Sequence, residues 1–333
     1  MTQGFALYRL PYQQECRMLA GHVQEYGSCA ELTGQQGFVV APFASSDRYP
    51  VVVIQPETQM ADDPTPGVLP IKEDSHPHDD YQADFAHFHA HLTNGDFKKL
   101  VLSRSLTLPR TGDETPLELF QRACQRYPRM FICLVYTPQT GLWLASTPEI
   151  LLAGERGEWQ TIALAGTMKY EEDLRWNDKN IQEQRYVATY IARQLERFGI
   201  NFTEEGPRTA RAGHLAHLRS DFRFQMPQGV SLGQLLEALH PTPAVCGLPK
   251  QEAFRFILEN EQHDRSYYSG FMGPLLVDGK TSLFVTLRCM QLFSNAYRLY
   301  AGGGLLKDSV EEQEWQETEA KLDTMRNIIY NNV

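Results

Sequence analysis

Glu314, Glu317 and Lys321 recur at i, i+3 and i+7, which places them on one stripe of a helix. Beside them Trp315, Thr318, Leu322, Met325 and Ile329 follow 3-4-3-4 spacing and form the core-facing stripe. Carboxylates at the edge of an apolar face are costly unless something positive meets them. A hard divalent cation answers that need, with Lys321 left to hold an anion; a solvated face with i, i+4 ion pairs fits the same spacing. Glu183 opens another amphipathic helix and shares the side that carries Val187, Tyr190, Ile191, Leu195 and Phe198. Next to Glu317 it would make a two-carboxylate magnesium site completed by water and substrate oxygens. Taken singly, it is a first-turn acid favoured by the helix dipole.

Lys99 opens a strand whose later residues are mostly apolar. A desolvated lysine loses its proton near neutral pH and becomes a base, whereas a lysine left at the surface is merely solvated. Glu149 follows Pro148 and precedes an apolar run. Burial would raise its pKa and suit it to donate a proton; exposed, it is a strand-end acid. Arg288 sits in a run, 282–292, that is apolar on both faces, so it must be paired with a substrate carboxylate or an internal acid. Gly302, Gly303 and Gly304 are read between a strand and a helix start, where their amides could cradle an anion. Neither a P-loop nor a dinucleotide-type spacing accompanies them. His76, His78, His87, His89 and His91 cluster, and His87 and His91 share a helical face with chelating spacing. No acid or cysteine follows at a catalytic interval, so a solvated face is the reading there.

The elements that must position these groups follow from periodicity. Helices are read at 79–94, ended by Gly95, and at 116–126, 178–198, 231–239 and 250–259, before the one that carries Glu314. Strands are read at 37–43, 51–54, 99–108, 130–136, 141–146, 159–164, 270–277, 281–293 and 296–301. Short turns such as 277–280 join strands into hairpins, so the class is α/β of the α+β kind, with large antiparallel sheets. The segment 55–80, rich in Pro, Asp and His, reads as a surface connection.

The bulk composition narrows the function. At 333 residues, 42% hydrophobic and 22% charged, the chain has ordinary globular values. A net charge of -10, spread along the chain, argues against sequence-independent nucleic-acid binding but leaves room for a local cationic pocket. Six cysteines form no C-x-x-C or zinc-type pair. The N-terminus lacks a basic-then-apolar signal pattern, and no apolar run approaches the ~18 residues of a membrane span. The expectation is a cytoplasmic enzyme with reduced thiols and no membrane or nucleic-acid partner.

Read in order, the segments resemble the chorismate-utilising enzymes, and among them isochorismate synthases most. They are K-L-V-L-S-R at 99–104, S-T-P-E at 146–149, L-A-G-T at 164–167, N-I-Q-E-Q at 180–184 and H-P-T-P-A-V-C-G at 240–247. D-R-S-Y-Y-S-G at 264–270, T-L-R-C at 286–289, A-G-G-G-L at 301–305 and E-W-Q-E-T at 314–318 with Lys321 complete the set. The resemblance covers about 97–325, with 1–80 a variable N-terminal part of the same domain. It implies one domain, 1–333, with two large antiparallel sheets packed face to face and helices outside. By the same resemblance Lys99 is the general base and Glu149 the general acid. Glu183 and Glu317, with Glu314 beside them, hold Mg²⁺. Arg288, Tyr268 and Lys321, with the amides of Gly302 and Gly304, hold the substrate carboxylates. Leu164, Gly166, Thr167 and His240 form the pocket wall. Ala165, where aminodeoxychorismate synthases commonly carry a lysine nucleophile, points to isochorismate synthase acting on chorismate as a monomer, without an obligatory glutamine amidotransferase. Salicylate synthase and a non-catalytic chorismate-binding homologue are the alternatives. Asn180, Cys246, Ser266 and the pair Met168–Lys169 depart from the family pattern.

Overall fold

Side-chain oxygens mark where several helices begin. The computed structural model describes residues 3–57 and 78–330. Four strands, β1 (Gln3–Arg9), β2 (Arg17–Tyr26), β3 (Gly37–Ala41) and β4 (Val51–Pro56), precede α1 (His78–Asn94). Next come β5 (Lys99–Pro109), α2 (Pro116–Arg126), β6 (Phe131–Thr137), β7 (Gly141–Thr147), β8 (Ile150–Glu155), β9 (Glu158–Lys169) and α3 (Asp178–Arg197). The hairpin β10 (Phe202–Ala212) and β11 (Leu215–Gln225) leads to α4 (Leu232–Leu239), β12 (Gly247–Leu248) and α5 (Lys250–Asn260). The chain then forms β13 (Phe271–Leu275), β14 (Lys280–Val285), β15 (Cys289–Leu292), β16 (Ala296–Leu305) and α6 (Glu311–Ile329). Thr115 caps α2 through a capping box with Pro116 behind it, Asn177 caps α3 and Ser231 caps α4. Gly95, at φ +84°, ends α1.

All sixteen strands join one antiparallel ladder, in the order β10-β11-β9-β8-β14-β13-β3-β4-β2-β1-β6-β7-β15-β16-β5-β12. The two expected sheets are thus two halves of one hydrogen-bonded surface that folds back on itself. Phe131 on β6 stacks on Phe284 on β14, with ring centroids 4.3 Å apart, although these strands are not neighbours in the ladder. Tyr8, Val40, Val52, Trp143 and Met272 fill the same space between the halves. One outer face is covered by α3 and α4, through Val187, Ile191, Leu195, Leu235 and Leu236. The other is covered by α2 and α6, through Leu119, Phe120, Leu322, Met325 and Ile328. Helices α1 and α5 close over β5 with Phe88, Leu92, Ala253 and Ile257. Each such side chain, fully buried, stabilises the fold by roughly 1.5–3 kcal/mol. Among the described residues no helix is long and apolar enough to cross a membrane.

Two departures from the sequence reading bear on the site. The strand expected over 281–293 is two strands separated by 286–288. There the chain leaves β14, paired with β8 and β13, and enters β15, paired with β7 and β16. It crosses between the two halves of the ladder at this point, and Arg288 takes a left-handed φ of +46°. Gly302, Gly303 and Gly304 do not lie between strand and helix: they are ladder residues of β16, opposite Ser103, Leu102 and Val101 of β5. The connection read over 55–80 falls outside the described residues between 58 and 77, and so does His76.

Candidate active site

Two buried carboxylates, Glu183 and Glu314, and the half-buried Glu317 meet three lysines where β5, β16, α3 and α6 converge. Lys99, the first residue of β5, is fully buried, and its Nζ is 2.9 Å from Glu183 Oε1 on α3. That contact is at ion-pair distance but off line for a hydrogen bond. Glu317 of α6 takes a hydrogen bond from Lys321, one turn on, at 2.6 Å, and Lys321 also donates to the Gly302 carbonyl at 2.7 Å. Glu314 accepts from Lys179, which lies one turn before Glu183. Each acid therefore has its own lysine partner. Gly304 makes the convergence sterically possible, because a Cβ there would lie 2.0 Å from Glu183 Oε1 and 2.9 Å from Lys99 Cε.

The electrostatics sort these acids. Burial and the neighbouring Glu317 charge push Glu314 up to about 7, against the pull of Lys179. Burial also opposes ionisation of Glu317, but Lys321, Lys179 and a hydrogen bond from Thr167 prevail and hold it below the usual carboxylate range. Burial would lower Lys179, yet Glu314, Glu183 and Glu317 together raise it.

Glu149 stands apart from this cluster, in the turn between β7 and β8 after Pro148. Burial raises it to about 8, although Lys99, Lys321 and Arg288 all pull it down. At neutral pH it is a carboxylic acid with a proton to give. Arg288 is buried, and burial brings it down to about 10. Its Nη2 lies 3.0 Å from His217 Nε2. Arginine has no acceptor, so His217 Nε2 must accept, and Nδ1 then donates to the Gly166 carbonyl at 3.1 Å. Burial and the Arg288 charge hold His217 neutral, far below its ordinary value. Arg288 Nη1 is buried with no hydrogen-bond partner. A guanidinium half satisfied by a neutral imidazole, with its other arm bare, is suited to a carboxylate.

These groups surround one cavity. Glu149, Leu164, Gly166, Thr167, Glu183, Tyr268, Arg288, Gly302, Gly304 and Lys321 line it. Lys99, Glu314 and Glu317 stand behind that wall, in the carboxylate–lysine cluster. His240 is not on the wall. Its Nε2 is 2.9 Å from the Pro42 carbonyl, its ring meets Phe271 edge-on at 5.0 Å, and burial drops its pKa to about 3. It is a neutral histidine that ties the end of α4 to the segment after β3.

A divalent cation fits the carboxylate cluster chemically. The donors are all carboxylate oxygens, as hard cations require, and Glu314 Oε2 is buried with no hydrogen-bond partner. A Cβ on Gly303 would lie 3.3 Å from Glu314 Oε2 and 3.9 Å from Glu317 Oε1, so both acids lean over the same bare stretch of β16. Three ligand atoms within 4.8 Å of one another occur, among the described residues, at His78, Glu311 and Glu312 instead, on the outside of α1 and α6. His87 Nε2 bonds Asn260 Oδ1 at 3.0 Å and His91 Nδ1 bonds Asp96 Oδ2 at 2.8 Å, so each of these rings has a protein partner.

Comparison with known proteins settles the family. The family model described as chorismate binding enzyme matches residues 52–330. The chain belongs to this chorismate-binding family. A salicylate biosynthesis isochorismate synthase of Pseudomonas aeruginosa is 31% identical over 251 residues, 72% of this chain and 52% of that protein. An isochorismate synthase of Bacillus subtilis is 32% identical over 268 residues, 74% of this chain and 67% of the relative. The matched region thus spans only about half of the first relative's length. A solved Bacillus anthracis structure, described as a putative 2,3-dihydroxybenzoate-specific isochorismate synthase, superposes with a TM-score of 0.82. It is 24% identical, over 98% of this chain and 96% of that one.

Two residues that depart from the chorismate-binding family pattern have physical accounts. Asn180 sits against Gly166, whose φ is +72° and whose missing Cβ would come 3.1 Å from the Asn180 Cβ. Ser266 takes a φ of +48°, a conformation glycine adopts without strain. Cys246 is buried among Leu100, Ala253 and Ile257. Nothing in the structure explains Met168 and Lys169.

The sequence reading missed Lys179 and His217. Lys179 carried a usable signal, an i, i+4 relation to Glu183. His217 carried none, since its role depends on where β11 lies against β9 and on a crossing point that sequence does not show.

Proposed function

We propose that this protein is a magnesium-dependent isochorismate synthase that converts chorismate to isochorismate. Glu149 carries the reading: it is a buried, protonated acid on a cavity wall, within the influence of Lys99, Lys321 and Arg288. Chorismate is a dianion, and Arg288 Nη1 and Lys321 supply positive charge for its carboxylates. Lys99 acts as the general base that takes a proton from the water that adds at ring carbon C2. A C–O bond forms there, both ring double bonds shift by one position, and the C4–O bond breaks. Glu149 protonates the departing 4-hydroxyl, which leaves as water. One proton is taken and one is given, so the net reaction is an isomerisation. Magnesium, held by Glu183 and Glu317 with Glu314 beside them, would neutralise and orient the ring carboxylate. Ala165 lies on the cavity wall and has no nucleophile to offer, which favours water as the attacking group over an amine.

The test is incubation of the purified protein with chorismate and Mg²⁺, with the products separated by chromatography. Isochorismate in equilibrium with chorismate is the expected outcome. Salicylate as the dominant product would assign a further pyruvate elimination to the site, and absence of any Mg²⁺-dependent conversion would refute the enzyme reading.

A further inference from the structure

A second cavity, of about 570 Å³, adjoins the catalytic one and shares the walls Pro148, Leu164 and His217 with it. Four arginines line it, Arg129, Arg208, Arg211 and Arg219, and no Asp or Glu does. In a chain with net charge -10 this is a local inversion of sign. The buried Asp221 is 2.5 Å from Arg208 and 2.6 Å from Arg219. One carboxylate is thus shared by two guanidinium groups. Arg211 donates to the Gly213 carbonyl and lies over the Tyr170 ring at 4.3 Å, and it forms no ion pair among the described residues. Arg129 is exposed and forms no ion pair among the described residues. Four arginines against one carboxylate leave three positive charges facing a concave space.

We propose that this cavity is a capture vestibule for the dicarboxylate substrate of the adjoining site. The proposal rests on the reading that this site turns over chorismate. A cleft of one sign with low-dielectric walls concentrates its counter-ion and raises productive encounters by ~10–10³-fold. The arginines gather the dianion at the Pro148–Leu164–His217 wall. Beyond that wall lie Arg288 and Lys321, a second set of cations that takes over its carboxylates. Arg208 and Arg219 are restrained by Asp221 and shape the vestibule. Arg129 and Arg211, with no ion pair among the described residues, supply most of its field.

The test uses Arg129→Glu/Arg211→Glu in the full chain, assayed at low and high ionic strength. Both positions lie outside the catalytic cavity, so kcat should stay within about twofold. The ratio kcat/KM should fall about tenfold at low salt, and the gap should narrow as salt screens the field. Arg193→Glu/Arg255→Glu makes the same charge change at exposed positions of α3 and α5, away from both cavities, and should behave as wild type. Arg129→Gln/Arg211→Gln should show a smaller drop of the same kind, and it serves if the reversal does not fold. Unchanged kcat/KM in both cavity variants, an equal fall in the distant control, or a fall confined to kcat would overturn the vestibule. Lack of chorismate turnover by the wild type would instead defeat the functional reading, and would be seen before any variant is compared.

Discussion

The carboxylate of Glu183 fills the space that a side chain at Gly304 would need, with Oε1 2.0 Å from the ideal Cβ position. A strand residue thereby sets how closely α3 can approach β16. Gly304→Ala should push Glu183 away and disturb Lys99, which also lies within 2.9 Å of that position. The expected result is a loss of chorismate turnover of at least about 100-fold, since a displacement of ~1 Å in a catalytic constellation has that effect. Circular dichroism should stay unchanged.

The carboxylate cluster should make activity depend on a divalent cation. Glu183→Gln and Glu317→Gln should each abolish turnover while the protein stays folded, and EDTA should do the same reversibly to the wild type. Turnover that persists in EDTA would remove the metal from the mechanism.

Glu149 should govern the alkaline side of the pH profile. With a value of about 8, it loses its donor proton above that pH, and kcat/KM should decline there. Stability has the opposite relation to this acid. Between the ordinary carboxyl value and about 8 the folded chain holds a proton that the unfolded chain has lost, so this group's contribution falls as pH rises through that window. Glu149→Gln should therefore be inactive, yet gain in Tm relative to wild type between about pH 5 and pH 9.

Arg288 should report on substrate binding. Arg288→Met removes a buried charge-assisted contact to a carboxylate, at an expected cost of about 2–5 kcal/mol in chorismate affinity, read as a raised KM or Kd. A wild-type KM would assign Arg288 to a structural pair with His217 alone.

Arg104 should act through α6 without touching substrate. It is buried in β5, donates to Thr318 Oγ1 at 2.8 Å, pairs with Glu319, and lies over the Trp315 ring at 3.7 Å. Those three residues interleave with Glu314, Glu317 and Lys321 on the same helix. Arg104→Met should destabilise the fold by about 3 kcal/mol and raise the metal concentration needed for half-maximal activity. Arg104→Lys should not restore it, because an ammonium cannot make the forked and stacked contacts together.

How far the sequence reaches depends on the physics of each element. The helices α3 and α6 were legible because their apolar stripes repeat with helical period, and Glu183, Glu314 and Glu317 came with them. Lys99 and Glu149 were legible as members of a recognisable series of segments more than from local chemistry. Strand β10 escaped because it is an almost wholly exposed edge with no apolar alternation. The split at 286–288 escaped because both resulting strands are apolar, so periodicity runs across a change of pairing partners that only the fold reveals. His240 was misplaced because a buried histidine and a cavity histidine look alike without their neighbours. The arginine-lined cavity was invisible because Arg129 and Arg208–Arg219 come from separate strands and turns.

The ladder that doubles back also governs how the chain comes to be assembled. Ala41 pairs with Phe271, Tyr136 with Phe5, and Gly302 with Ser103, so neighbours in space are separated by much of the polypeptide. Such remote pairings demand loop-closure entropy before they return any contact energy, and chains built this way fold slowly. Lys99, Glu149, Glu183, Arg288 and Glu317 come together only when the last strands enter the surface begun by the first. A nascent chain still lacking β16 and α6 would hold Lys99, Glu149, Glu183 and Arg288 but not Glu314, Glu317 or Lys321.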